Sequence, residues 1–236
     1  IIVIKSSWEV RGYVQPIQNA SPGCGYRAPD LARLGRLLRR LAAKTSQRLR
    51  RVGRGEPGTF TPWEEMAPDS DMLFYEGLHG AIVTKTVNVA RHCDLLIGVV
   101  PVINLEWIQK LHRDKMERGY TQEAIVDTIL RRMPDYVNYI CPQFVHTHVN
   151  FQRVPTVDTS NPFIARDVPS PDESMLIIRF KNPRGIDFPY LMSMIPNSFM
   201  SRANTIVCPG SKMPLAMQLI FTPMIWHLMD CKGRAS

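Results

Sequence analysis

No stretch of this 236-residue chain is long and apolar enough to cross a bilayer, which takes about 20 apolar residues in a row. The longest nearly apolar segment, Pro214 to Met229, is broken by Gln218, Thr222, Pro223 and His227, so a membrane span is excluded. The opening run Ile1 to Ile4 is shorter than the roughly 7–15 apolar residues of a signal-peptide core. The first residue is isoleucine rather than methionine, as expected of a truncated start. The five cysteines, Cys24, Cys93, Cys141, Cys208 and Cys231, are odd in number and scattered, with no C-x-x-C pair. That excludes the usual signatures of a disulfide framework, a zinc ribbon and a redox dithiol, and it suits a reducing cytoplasm. His146 and His148 would share one face of a strand, but no Cys, Asp or Glu lies close enough in sequence to complete a metal-ligand set. The nucleotide-cradling motif G-x-x-x-x-G-K-[ST] is also missing. Gly53 and Gly58 have its glycine spacing, but Thr59 and Phe60 stand where Lys and Ser/Thr belong.

What the chain does have is 44% apolar and 21% charged residues, enough for one sizeable core and an appendage, and a net charge of +8. That charge is local. Residues 1–55 hold 12 basic and 2 acidic side chains, whereas residues 56–236 hold 17 basic and 19 acidic ones. Ten of the twelve basic residues at the front are arginines. Leu31, Leu34, Leu38 and Leu41 recur there at helical spacing after Asp30, a capping residue type. An arginine-rich amphipathic helix that contacts RNA or a lipid surface, a solvated helix and a disordered arm all fit this pattern.

The body reads as α/β. Asp71 to Glu76 is a short apolar run ending in an acid, followed by Gly77 and Gly80, as a buried strand ends at a loop. Leu95 to Ile103 is a Val/Ile-rich strand, with Asn104 as the cap of a following helix that turns Leu105, Ile108, Leu111 and Met116 toward the core. Thr121 caps a second helix reaching Arg132, with Ile125, Ile129 and Leu130 as its apolar positions. Ser174 to Phe180 and Thr205 to Cys208 read as strands, Pro155 to Pro171 as a loop, and Pro214 to Met229 as a helix disturbed by Pro223. Strands alternating with helices predict a largely parallel sheet.

Two places could carry chemistry. Glu76, an acid at the carboxyl end of a strand, stands where nucleotide-binding α/β proteins hold Mg²⁺, or it simply pairs with a neighbour. Lys110, Arg113, Asp114, Glu117 and Arg118 recur on one helix face. Phosphoryl transfer needs cations for the phosphoryl oxygens and a carboxylate for metal or proton, and a helix presents both within about two turns. The same spacing also suits a solvated face laced by Lys110–Asp114 and Asp114–Arg118 pairs. Its position after a Val-rich strand favours the ligand reading. Arg153, Arg166, Arg179, Arg184 and Arg202 sit at loops or strand ends, where each could bind a phosphate or make an ordinary ion pair.

Five strings carry a resemblance: Phe-Tyr-Glu-Gly-Leu-His-Gly at 74–80, Ile-Gly-Val-Val-Pro-Val-Ile-Asn-Leu-Glu-Trp-Ile-Gln-Lys at 97–110, Asn-Phe-Gln-Arg-Val-Pro at 150–155, Asp-Thr-Ser-Asn-Pro-Phe-Ile-Ala-Arg at 158–166 and Arg-Phe-Lys-Asn-Pro-Arg-Gly-Ile-Asp-Phe-Pro-Tyr-Leu at 179–191. On these strings the chain from about Gly55 onward resembles the bacterial form of the phosphoribulokinase family. The resemblance implies a P-loop nucleotide-kinase-like α/β fold, a mixed sheet flanked by helices. It implies phosphorylation of the 1-hydroxyl of ribulose 5-phosphate by ATP with Mg²⁺, the Calvin-cycle step of photosynthetic carbon fixation, in a cytoplasmic homo-oligomer. Glu76 is similar to the family's strand-end acid near the metal-nucleotide, Lys110 to the lysine that stabilises the transferring phosphoryl group, and Asp114 to an acid of the metal and nucleotide site. Arg113 and Arg118 are similar to arginines that engage phosphates, Arg118 to the one that holds the sugar phosphate. Arg179 and Arg202 match arginines of an inter-subunit effector site for NADH and AMP.

The front departs from the family. Its phosphate-binding loop, catalytic-base aspartate and nearby substrate-binding His and Arg precede the matching region and have no counterpart in residues 1–54, where only Ile1 to Ile4 resembles the first strand. The expected organisation is therefore an atypical arginine-rich segment, 1–54, and a phosphoribulokinase-like α/β domain, 55–236, that lacks its N-terminal phosphate-binding portion and is catalytically incomplete as written. The rival expectation is a non-catalytic regulatory or binding protein with a basic tail on RNA or lipid. A truncated or frame-shifted front accounts for the arginine surge and the abrupt onset of similarity. Peptide mapping of the natural protein is then expected to yield no tryptic peptides matching residues 11–54, and recovering them contradicts the expectation.

Overall fold

The computed structural model describes residues 2–5, 47–49, 64–66 and 73–233. Among them are strands β1 (Ile2–Lys5), β2 (Gln47–Leu49), β3 (Glu64–Met66), β4 (Leu73–Glu76), β5 (Leu95–Pro101), β6 (Val149–Pro155), β7 (Ser174–Phe180), β8 (Phe199–Arg202) and β9 (Thr205–Pro209). The helices are α1 (Ile103–Met116), α2 (Gln122–Asp135), α3 (Phe188–Met194) and α4 (Met213–Gly233). Strand neighbours run β4-β1-β5 at one end of the chain's strand set and β6-β7-β9-β8 at the other, each described below within its own unit, with β2 and β3 paired separately. A sheet with helices between its strands is the α/β class expected from the sequence. The chain divides into two compact units, Ile1–Ile97 with Asp135–Thr147 and Gly98–Pro134 with His148–Ser236.

In the first unit β1 pairs antiparallel with β4, setting Ile2 opposite Glu76, and antiparallel with β5, setting Ile2 opposite Ile97. Buried Tyr75, Ala81 and Leu96 pack together with Ala90 and Cys93 against them. A π-helical turn, Tyr136–Ile140, and a 3₁₀ turn, Cys141–Val145, follow α2. The buried Gln143 amide donates to the Leu78 and Tyr139 carbonyls and accepts from the Ala81 N–H, so one side chain stitches the segment after β4 to these turns. A buried polar group this well partnered fixes geometry that apolar packing alone leaves loose.

In the second unit β6, β7, β9 and β8 form antiparallel pairs. Along β7 Ser174, Leu176, Ile178 and Phe180 are buried and alternate with more exposed residues, the period of two that a pleated strand imposes. Phe151 of β6 meets Phe221 of α4 edge to face, with ring centroids 5.3 Å apart, and Phe180 meets Phe188 of α3 in the same way at 5.5 Å. Leu105, Ile108 and Leu111 bury the inner stripe of α1, and Leu111 joins Ile125 and Ile129 of α2 in one cluster.

The expected largely parallel sheet is corrected here. Two strands that the sequence reading missed, β6 and β8, turn this part of the sheet antiparallel: β6 reaches β7 through a loop instead of a crossover helix, and β8 reaches β9 through a two-residue turn, Ala203–Asn204. Asn104 is not a cap. Val102 takes that place, and Asn104, inside the first turn, donates to the Thr159 carbonyl at 2.9 Å. Thr121 does cap α2, accepting from the Ala124 N–H at 3.3 Å. Met116, expected in the core, and Leu130, read as an apolar position of α2, are 81% and 55% exposed: Met116 is the last residue of α1, and Leu130 lies a step of about 100° round α2 from the buried Ile129. The C-terminal helix runs on through Pro223. His146 and His148 lie in a turn and a bend, not on one face of a strand. The arginine-rich helix expected after Asp30 and the Gly53–Phe60 segment lie outside the described residues.

Ile108 is fully buried and Met116 is not, so the two helix positions should respond differently to truncation. In urea unfolding Ile108→Ala is expected to cost about 2–5 kcal/mol and Met116→Ala less than about 0.5 kcal/mol. Equal losses contradict the burial of Ile108 and the exposure of Met116.

Candidate functional site

The buried residues of α1 are Leu105, Ile108, Leu111 and Asp114, one every third position, so a carboxylate ends a stripe whose other members are apolar. Asp114 is 2% exposed. Burying an unpaired carboxylate is costly, and the chain offsets that cost with cations. Lys110 Nζ lies 2.5 Å from Asp114 Oδ2, while Arg118 Nη1 and Arg113 Nε lie 2.9 Å and 3.2 Å from Oδ1. Lys110 and Arg118 reach the carboxylate from four residues before and four after. Burial works against the charged carboxyl, but the hydrogen bond and charge of Lys110, the charge of Arg118 and the hydrogen bond of Arg113 prevail and hold its pKa below the usual carboxylate range.

Arg118 lies beyond the helix and is folded back by the way α1 ends. The Glu117 N–H bonds the Arg113 carbonyl at 2.8 Å, Gly119 adopts φ +67°, and the Tyr120 N–H returns to the Asp114 carbonyl at 3.2 Å. A glycine in the left-handed region just past a helix end is the usual way to close it. Three cations around one carboxylate leave two positive charges in excess at a helix C-terminus, whose dipole favours them. The two i,i+4 pairs anticipated for a solvated face are both present, but the face is not solvated at its centre.

A second set of contacts fixes where α1 sits. Asn104 donates to the Thr159 carbonyl, Gln122 at the start of α2 donates to the Phe163 carbonyl at 2.8 Å, and His112 Nε2 lies 3.2 Å from the Ala165 carbonyl oxygen. The Trp107 and Phe163 rings stack with centroids 5.4 Å apart. The 158–166 string therefore straps the outside of α1. These partners escape a sequence reading because the acceptors are backbone carbonyls; the sequence marks 155–171 only as a loop. Arg153 serves the same loop, donating to Ser174 Oγ at 3.0 Å and to the Pro169 carbonyl, with burial lowering its pKa. That removes it from the arginines free to meet a phosphate.

Glu76 belongs to the first unit, exposed at the end of β4. The next residue is glycine, and a Cβ at Gly77 would run into the Tyr75 hydroxyl, so a larger residue there would displace the end of that ring. Tyr75 is itself buried, and burial, with a smaller contribution from Cys93, raises its pKa to about 12. Arg179 and Arg202 are exposed on β7 and β8, the two strands that flank β9, and both stand opposite Thr205. Strands lie ~4.8 Å apart, which puts these two arginines on one level roughly 10 Å apart. The structure thus gathers Lys110, Arg113, Asp114 and Arg118 into one cluster in the second unit and Arg179 with Arg202 on another level of that unit.

Mg²⁺ takes oxygen ligands and is most at home with one or two carboxylates that carry no competing cation. Glu76 fits, since it makes no ion pair among the described residues. Asp114 does not: both of its oxygens hold cations at 2.5–3.2 Å, and a metal there would face three positive charges.

The model of the phosphoribulokinase / uridine kinase family matches residues 18–160. The match starts within the arginine-rich segment, ahead of the onset near Gly55 that the strings indicated. The chromosomal phosphoribulokinase of Cupriavidus necator is 72% identical over 181 residues, 77% of this chain and 62% of that protein. The phosphoribulokinase of Nitrobacter vulgaris is 73% identical over 179 residues, 76% of this chain and 62% of that protein. The solved phosphoribulokinase from Rhodobacter spheroides superposes with a TM-score of 0.80 at 60% identity, covering 86% of this chain and 74% of that one. The chain therefore belongs to the phosphoribulokinase / uridine kinase family, and it spans about 62% of the length of the curated relatives it matches.

A carboxyl whose folded pKa is depressed contributes stability above its unfolded value that is lost as pH falls through the folded one. For Asp114 that window opens below about pH 4. Thermal melts between about pH 4 and pH 2 are expected to fall more steeply with acid for the unmodified chain than for Asp114→Asn. Equal slopes contradict the pairing.

Proposed function

We propose that the protein to which this chain belongs is an ATP-dependent kinase that phosphorylates the 1-hydroxyl of ribulose 5-phosphate, giving ribulose 1,5-bisphosphate for carbon fixation. The observation that carries the proposal is the cluster on α1, in which Lys110, Arg113 and Arg118 surround a single buried carboxylate and keep two charges in excess. In the reaction the sugar oxygen forms a bond to the γ-phosphorus, the bond to the β,γ-bridging oxygen breaks, ADP leaves, and the hydroxyl proton passes to a general base. The charge that spreads over the phosphoryl oxygens needs fixed cations more than covalent help.

In this reading Lys110 stabilises the transferring phosphoryl group, Arg113 engages phosphate, and Arg118 holds the 5-phosphate of the sugar. Glu76 holds Mg²⁺, which screens the charge of the nucleotide phosphates when bound. Asp114 belongs to the catalytic set through the cations it holds. Arg179 and Arg202, level with each other across β9, are spaced to receive a dianionic or dinucleotide effector, which supports NADH and AMP as regulators. We further propose a homo-oligomer in the cytoplasm. Among the described residues no helix is long and apolar enough to cross a membrane, which is compatible with that setting.

The 236 residues contain no G-x-x-x-x-G-K-[ST] motif, so the chain by itself is expected to bind the sugar phosphate but to turn over little or not at all. Calorimetry is expected to show ribulose 5-phosphate binding that Arg118→Gln weakens at least tenfold. A coupled spectrophotometric assay of the chain as written is expected to stay near background. Unchanged affinity in the variant contradicts the role of Arg118, and normal ATP-dependent turnover contradicts the missing cradle. Steeply salt-dependent capture of RNA on filters, with no sugar phosphate bound, would favour the rival binding-protein reading.

A further inference from the structure

Asp114 occupies a position that the packing of α1 assigns to an apolar side chain, and it has no oxygen to spare. Lys110 holds Oδ2 alone, and Arg113 and Arg118 share Oδ1. The carboxylate therefore sorts three cations into two groups pointing from opposite oxygens, a lone ammonium on one side and a pair of guanidiniums on the other. Without it, three flexible positive side chains within about two turns would repel one another and spread into solvent, and the first small anion to arrive would collect them.

We propose that Asp114 is a positioning residue and not a metal ligand: an internal counter-ion that stands in for phosphate in the free protein, keeps Lys110 apart from the Arg113–Arg118 pair, and so makes the cluster select a sugar phosphate over a bare phosphate. This rests on the proposed kinase site and departs from the metal role that family resemblance implies for Asp114. Its physical content is a competition. An incoming phosphate dianion must outbid one carboxylate for the same donors, which weakens binding of any small phosphate. A sugar phosphate meets the same competition at its phosphate, but it also needs Lys110 and the Arg113–Arg118 pair held apart for its two ends, so loss of the carboxylate relieves its phosphate and loosens its positioning at once, whereas a bare phosphate only gains. The Trp107–Phe163 stack and the His112–Ala165 contact hold the helix against the strap while its cations change partners.

The test is calorimetric, on the full chain in EDTA, with inorganic phosphate and ribulose 5-phosphate as probes. With Asp114→Asn, inorganic phosphate is expected to bind about fivefold or more tighter while ribulose 5-phosphate changes little, so that the preference for ribulose 5-phosphate over phosphate falls by about the same factor. Both constants staying within twofold of the unmodified chain overturns the proposal, because an acid that acts through a metal has no effect when metal is absent. If the unmodified chain shows no preference for the sugar phosphate, the kinase reading fails, while the phosphate shift in Asp114→Asn still decides the role of Asp114. A second measurement uses the unmodified chain and so does not depend on how a variant folds. The carboxyl ¹³C resonance of Asp114 is expected to move on adding phosphate and to stay in place on adding Mg²⁺ alone; the opposite response overturns the proposal.

Discussion

A carboxylate largely shut off from water must be met by positive charge, and most of what the second unit does around α1 follows from that constraint at Asp114. Lys110 and Arg113 come from the same helix at the right spacing. Arg118 arrives only because Gly119 ends the helix and turns the chain back. The three cations stay near one another because a single acid sits among them, and the two charges left uncompensated are what an anion would find. Replacing that acid with leucine would suit the stripe of Leu105, Ile108 and Leu111 better, so the arrangement gives up local stability for charge placed at a defined spot.

The rest of the unit holds that spot still. Side chains of Asn104, His112 and Gln122 bond to carbonyls of the 158–166 string, and Trp107 stacks on Phe163. Arg153 ties the far end of the same loop to β7 through Ser174. A loop held at several points along a helix resists rotation of that helix better than apolar packing alone, since each bond to a carbonyl specifies both distance and direction. In the first unit the Tyr75–Gly77 contact plays a comparable part directly beside Glu76.

Much of this was legible in the residues. The spacing of Lys110, Arg113, Asp114 and Arg118 pointed to one cluster, β7 was read at its observed bounds, and Thr121 was recognised as a cap. The burial of Asp114 was not legible, because a carboxylate in an apolar stripe runs against the pattern by which stripes are read. Strands β6 and β8 were missed for a related reason: Asn150, Gln152, Arg153, Ser201 and Arg202 dilute their apolar signal, since these strands are stabilised by their neighbours and not by hydrophobicity of their own. The strap was invisible because side chains reaching backbone carbonyls leave no motif at the receiving end.

In the proposed function the α1 cluster receives the phosphate of a sugar phosphate. A crystal structure of the chain with ribulose 5-phosphate tests it most directly. Phosphate oxygens are expected within hydrogen-bond distance of Arg118, with at least one cation drawn away from Asp114. A sugar phosphate bound elsewhere, with all three cations still on Asp114, would contradict it.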